Sequence, residues 1–168
     1  VLELSTATIA IMAQPLVVEQ SRDIPVLVED AFRDTVPLPL PTLFRRWYGP
    51  IPPIKAVQGQ SGDWDAVGQS RTVLLTGGGS MREKLESYDA PRSFGYTLSE
   101  VKGPLAPLVD HVEGLWSFEA VGTGTKVTWR WTIHPRSAFT APVLPVFGRL
   151  WLGYARQSLE ELSNQLVH

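Results

Sequence analysis

At 168 residues and 43% hydrophobic, the chain carries enough apolar material for one core with some left over to line a cavity, and too little length for two folding units. Its net charge is -2 and its basic residues are scattered, which excludes the electrostatic footprint of a nucleic-acid binder. It has no cysteine, which excludes disulfides, thiolate chemistry and Cys-ligated zinc or iron–sulfur centres.

Residues 1–13 hold an apolar patch at Ile9–Ile11 but neither a basic leader nor a long apolar run. No signal peptide or membrane span is expected, and a cytoplasmic location follows as the default. With Val1 at the start and Met12 inside, residues 1–13 are read as an extension outside the fold, and 14–168 as a single domain.

Leu16–Ile24 is rich in β-formers and predicts a first strand, ended by Pro25, which suits the start of a helix near Val26–Phe32. The alternating prolines of VPLPLP bar regular structure until Thr42, expected to cap a short helix over Leu43–Trp47.

From Ile54 onward, turn signals separate six strand-like runs: Lys55–Gln60, Gln69–Thr76, Ser80–Tyr88, Ser93–Lys102, Val109–Val121 and Thr125–His134. No helical pattern interrupts them, so the sheet is antiparallel. Gly77–Gly79 is read as a tight hairpin needing positive φ, since neither a nucleophile elbow nor a phosphate loop fits it.

The tail Ala141–Leu166 is amphipathic. Leu144, Phe147, Gly148, Trp151, Leu152, Ala155, Leu159, Leu162 and Leu166 share one arc, and Arg149, Arg156, Glu160, Ser163 and Asn164 the other. A long amphipathic helix needs a broad apolar surface, which a twisted antiparallel sheet supplies on its concave side. The expected fold is α+β: a seven-stranded antiparallel sheet curled around a long C-terminal helix, with two short helices between strands 1 and 2.

Alternation along the strands sorts the side chains. Val127, Trp129, Trp131 and Ile133 point inward, as do Met81, Glu83 and Leu85, the row of Arg71, Val73 and Leu75, and the row of Phe94, Tyr96 and Leu98. A buried charge must be paired, so Arg71 and Glu83 are expected to meet across neighbouring strands, either orienting a ligand's polar end or serving as a rim salt bridge. Trp116 and Phe118 fall on the side of Val112 and Gly114 and, with Trp131 and Trp151, give an aromatic enclosure or plain core packing.

Strict alternation puts His111 and Glu113 outside and Asp110 inside. One histidine with two neighbouring carboxylates does not make a zinc site, so no metal and no cofactor is expected. The entrance to a cavity is expected within Trp47–Asp65.

The order of elements, together with VEQSRDIPVLVEDAF, GQSR at Gly68–Arg71, MREKL at Met81–Leu85, DAPR at Asp89–Arg92, GLWSF at Gly114–Phe118 and GTKVTW at Gly124–Trp129, resembles the polyketide cyclase/dehydrase and lipid-transport branch of the START-like SRPBCC superfamily over Leu16–Leu166. The resemblance implies a helix-grip fold around a cavity and leaves the chemistry open. Its expected occupant is a small hydrophobic molecule (a lipid, a polyketide or another apolar or aromatic metabolite), contacted by Arg71, Glu83, Tyr96, Trp116, Phe118, Trp129, Trp131, Phe147 and Trp151. A binding protein is favoured over a cyclase-like enzyme in which Arg71, Glu83, Tyr96 or His111 steers an enol or carbonyl. A protein-interaction module acting through Val36–Pro53 is a third reading. The chain is expected as a monomer or homodimer.

Overall fold

The computed structural model describes residues 14–167; the extension assigned to residues 1–13 lies outside them. Seven strands, β1 (Leu16–Ile24), β2 (Ile54–Gln58), β3 (Ser70–Leu75), β4 (Ser80–Asp89), β5 (Ser93–Lys102), β6 (Val109–Val121) and β7 (Gly124–Pro135), form one sheet in the order β1-β7-β6-β5-β4-β3-β2. Every neighbouring pair is antiparallel. Helices α1 (Val28–Thr35) and α2 (Leu40–Leu43) join β1 to β2, and α3 (Leu144–Val167) closes the chain after a single 3-10 turn at Ala141–Val143. This is the helix-grip architecture expected from the sequence.

The meander forms because its turns can be made. Gly77 and Gly78, both with φ +95°, build the β3–β4 hairpin, a conformation that a side chain would strain. Strand β7 then pairs with both β6 and β1, and the Thr125 hydroxyl donates to the Val26 carbonyl at 2.7 Å, pinning the exit of β1.

The long helix lies along the concave face and reaches β1 closely because Gly148 leaves room for Leu16 and Val18. The Gln20 amide donates to the Leu152 carbonyl at 3.1 Å, and Tyr48 occupies the space a Cβ at Gly153 would need. Its buried face is broader than the expected arc. Ser163, read as outward, is buried, and on another side of the helix Glu161, also buried, pairs with Arg45 at 3.0 Å.

Both short helices sit away from their expected places. The first begins at Val28, since Leu27 is still extended (ψ 149°). The second spans Leu40–Leu43 rather than Leu43–Trp47; Pro41 is tolerated in its first turn, and the Thr42 hydroxyl donates back to the Pro39 carbonyl at 2.7 Å instead of capping a later helix.

Candidate functional site

Between the concave sheet face and α3 lies a cavity of about 440 Å³. Its walls come from alternate residues of β3 to β7, from Phe147, Trp151 and Tyr154 on α3, and from Leu43 and Phe44 around α2. Tryptophans dominate one side. Trp116 stacks on Trp129 at 5.2 Å, Trp129 lies 4.8 Å from Trp151, and Trp131 meets both Trp129 and Trp151 within 5.7 Å, all as ring-centroid distances. Large rigid rings with few rotatable bonds hold an enclosure open at low entropic cost and offer flat apolar contact.

One ion pair interrupts the apolar lining. Arg71 and Glu83 are cross-strand partners in β3 and β4, and the guanidinium donates through Nε to Oε2 at 3.1 Å and through Nη2 to Oε1 at 3.2 Å. Nη1 donates to Gln60 at 3.1 Å, and the guanidinium carbon lies 3.8 Å from the centroid of the Trp64 ring. Both side chains are at most 7% exposed. Burial pushes the Glu83 carboxyl up from the usual carboxylate range, and the facing Arg71 charge opposes that shift.

Tyr96 stands at the meeting point of the tryptophans. Its hydroxyl oxygen accepts from Trp129 Nε1 at 2.8 Å and from Trp131 Nε1 at 2.9 Å. The ring can lie there because its cross-strand partner is Gly114, where a Cβ would land on the phenol. Burial, seconded by the Glu83 charge, raises the Tyr96 phenol well above its ordinary value, and burial does the same to Tyr154. The neutral form is the favoured one in both. In a spectrophotometric titration of folded protein through the ordinary phenol range near pH 10, these two tyrosines are therefore expected to stay silent and to ionise only on unfolding. A Tyr96→Phe variant that loses a tyrosinate signal in that range would contradict this.

A family model described as "Polyketide cyclase / dehydrase and lipid transport" matches residues 15–167. The chain belongs to this polyketide cyclase/dehydrase and lipid-transport family. No curated protein sequence matches it. Among solved structures, Ara h 8.0201 superposes with a TM-score of 0.65 at 16% identity, over 91% of this chain and 98% of that one. Major latex-like protein 151 of Panax ginseng gives 0.66 at 13%, over 92% and 99%, and a protein of Thermus thermophilus gives 0.65 at 18%, over 90% and 97%. At such identities the likeness establishes the shared fold.

Within this family member, the residues singled out from sequence fall on the cavity wall with one exception. Arg71, Glu83, Tyr96, Trp116, Trp129, Trp131, Phe147 and Trp151 all line it. Phe118 does not. It is buried on the correct face, but lies toward the end of β6 covered by α1, where Phe32 meets it edge-on at 5.3 Å and Phe94 lies 6.2 Å away. Tyr154 and Phe44, stacked at 5.9 Å, are lining residues the sequence reading missed. The exposed lining residues Trp47, Pro50, Gly77, Lys102 and Pro104 mark the mouth, so the entrance uses only the first part of Trp47–Asp65. Trp64 is deep, 1% exposed, covering Arg71.

On the convex face of this family fold, a break in the β6–β7 register between Val109 and His111 turns Val109 inward. Asp110, expected inside, is thereby exposed, and it accepts from His111 Nδ1 at 2.7 Å. The same pairing stacks His111 on His134 at 4.0 Å and brings their donor atoms within 4.8 Å of Glu113, a grouping not foreseen from sequence. The two rings are within 10° of parallel, so their in-plane lone pairs run side by side rather than converging on one ion. No helix of the described residues is long and apolar enough to cross a membrane.

Proposed function

We propose that this chain binds a small hydrophobic ligand in the cavity between sheet and α3, with the ligand's polar end turned toward Arg71 and Glu83. The observation that carries the reading is a tryptophan-walled cavity of about 440 Å³ containing a single buried ion pair. Binding is favoured over cyclase-type turnover. Among the described residues no histidine lines the cavity, and its one carboxylate is clamped through both oxygens by Arg71. One domain over residues 14–168, acting in the cytoplasm as monomer or homodimer, completes the proposal.

Native mass spectrometry of protein purified from its own host, followed by denaturing extraction, tests this directly. A stoichiometric apolar adduct is the expected result. A clean apo mass that stays unshifted on exposure to fatty acids, sterols and aromatic polyketide mimics would overturn it and favour the interaction module.

A further inference from the structure

The hydrogen-bond bookkeeping around Tyr96 restricts the chemistry of the occupant more than the shape of the cavity does. An indole N–H only donates, so the bonds at 2.8 Å from Trp129 and 2.9 Å from Trp131 both fall on the lone pairs of the Tyr96 oxygen. The phenol's own proton must then point along the remaining direction. Among the described residues the phenol donates no hydrogen bond, although Tyr96 is 7% exposed and lines the cavity. Two donors pulling on the oxygen also polarise the O–H bond, which strengthens what it can donate.

Arg71 is donor-only, and both oxygens of Glu83, the one carboxylate in the lining, already accept from it. At Tyr96 the wall thus offers a proton and no free lone pair.

Resting on the cavity reading above, we propose that the natural ligand carries an acceptor oxygen without a proton, a ketone, quinone or ester carbonyl, and that Tyr96 is the specificity-determining residue that donates to it. An alcohol or amide N–H that meets the Tyr96 oxygen finds both its lone pairs taken and is disfavoured there, because an unpaired buried donor costs more than a formed bond returns. Gly114 fixes the position of the donor, since only a residue without Cβ lets the phenol lie against β6.

Fluorenone, fluorenol and fluorene share one flat tricyclic skeleton and differ only in this group. Titration calorimetry is expected to rank fluorenone about tenfold tighter than fluorene, with fluorenol no better than fluorene. The infrared carbonyl band of 13C-labelled fluorenone should move to lower frequency on binding. Tyr96→Phe would release both indole N–H groups to the ligand, so donor strength is varied instead, by incorporating 3-fluorotyrosine at position 96. The more acidic phenol should lower the carbonyl frequency further and tighten fluorenone alone. Equal affinities for ketone and hydrocarbon, or a carbonyl band indifferent to fluorination, would overturn the role of Tyr96 while leaving the cavity reading intact. Failure of all three probes to bind would overturn both.

Discussion

Replacing Glu83 by Leu is expected to destabilise the protein by about 3–5 kcal/mol, read as a fall in the urea midpoint, whereas the double variant Arg71→Met/Glu83→Leu recovers most of that loss. The single change leaves a guanidinium that is 7% exposed facing an apolar side chain, with only Gln60 and the Trp64 face for company. Removing both charges removes the desolvation penalty with the attraction, and Met and Leu fill similar volumes. The coupling energy of this cycle is the informative quantity, because the two residues share hydrogen bonds and cannot be additive. If the double variant falls as far as the single one, the stranded Arg71 charge is not the source of the loss and the desolvated-pair account fails. Glu83→Gln, which keeps one acceptor for Arg71, should lie between wild type and Glu83→Leu.

Gly114→Ala should cost about 2–4 kcal/mol, the second large effect. The added methyl would land on Cζ and the hydroxyl of Tyr96, so the ring must move away from β6. Trp129 and Trp131 then lose their shared acceptor together, leaving two buried indole N–H groups unpaired. The origin of the loss is checked in a Tyr96→Leu background, where the same Gly114→Ala change should become nearly neutral. A full cost retained in that background would mean that backbone strain, rather than the phenol, sets the requirement for glycine. Ligand affinity should fall with the displaced hydroxyl in the single variant, which calorimetry with fluorenone would register.

The sequence was most legible where a simple period governs. The alternation in β7 places Val127, Trp129, Trp131 and Ile133 inward, and the same logic applied to β3 and β4 is enough to pair Arg71 with Glu83. Charge burial did part of that work, since neither residue is tolerable on an apolar face without the other. Alternation fails where a strand slips. The irregularity between Val109 and His111 inserts a residue, so Val109 and Val112 both face the core and Asp110 is turned out, an arrangement no two-residue period contains. It also identifies a face without saying how far along the strand the cavity reaches, which is why Phe118 was assigned to the wall when it packs beneath α1. Contacts made by the proline segment were illegible for another reason. Phe44 and Pro52 meet Tyr154 from a stretch with no periodicity, and only the folded chain shows where it lies. The stacking of His111 on His134 likewise depends on a register set by that same break.

The aromatic wall has an optical consequence. Trp116, Trp129, Trp131 and Trp151 form a chain in which each indole has a neighbour within 5.7 Å, so their electronic transitions are coupled and an excitation on one is shared among them. A chromophore entering the cavity drains that shared excitation wherever it first arrives. Emission from this protein will therefore report occupancy strongly, while a loss of quenching on changing one tryptophan will not say which indole the guest touches.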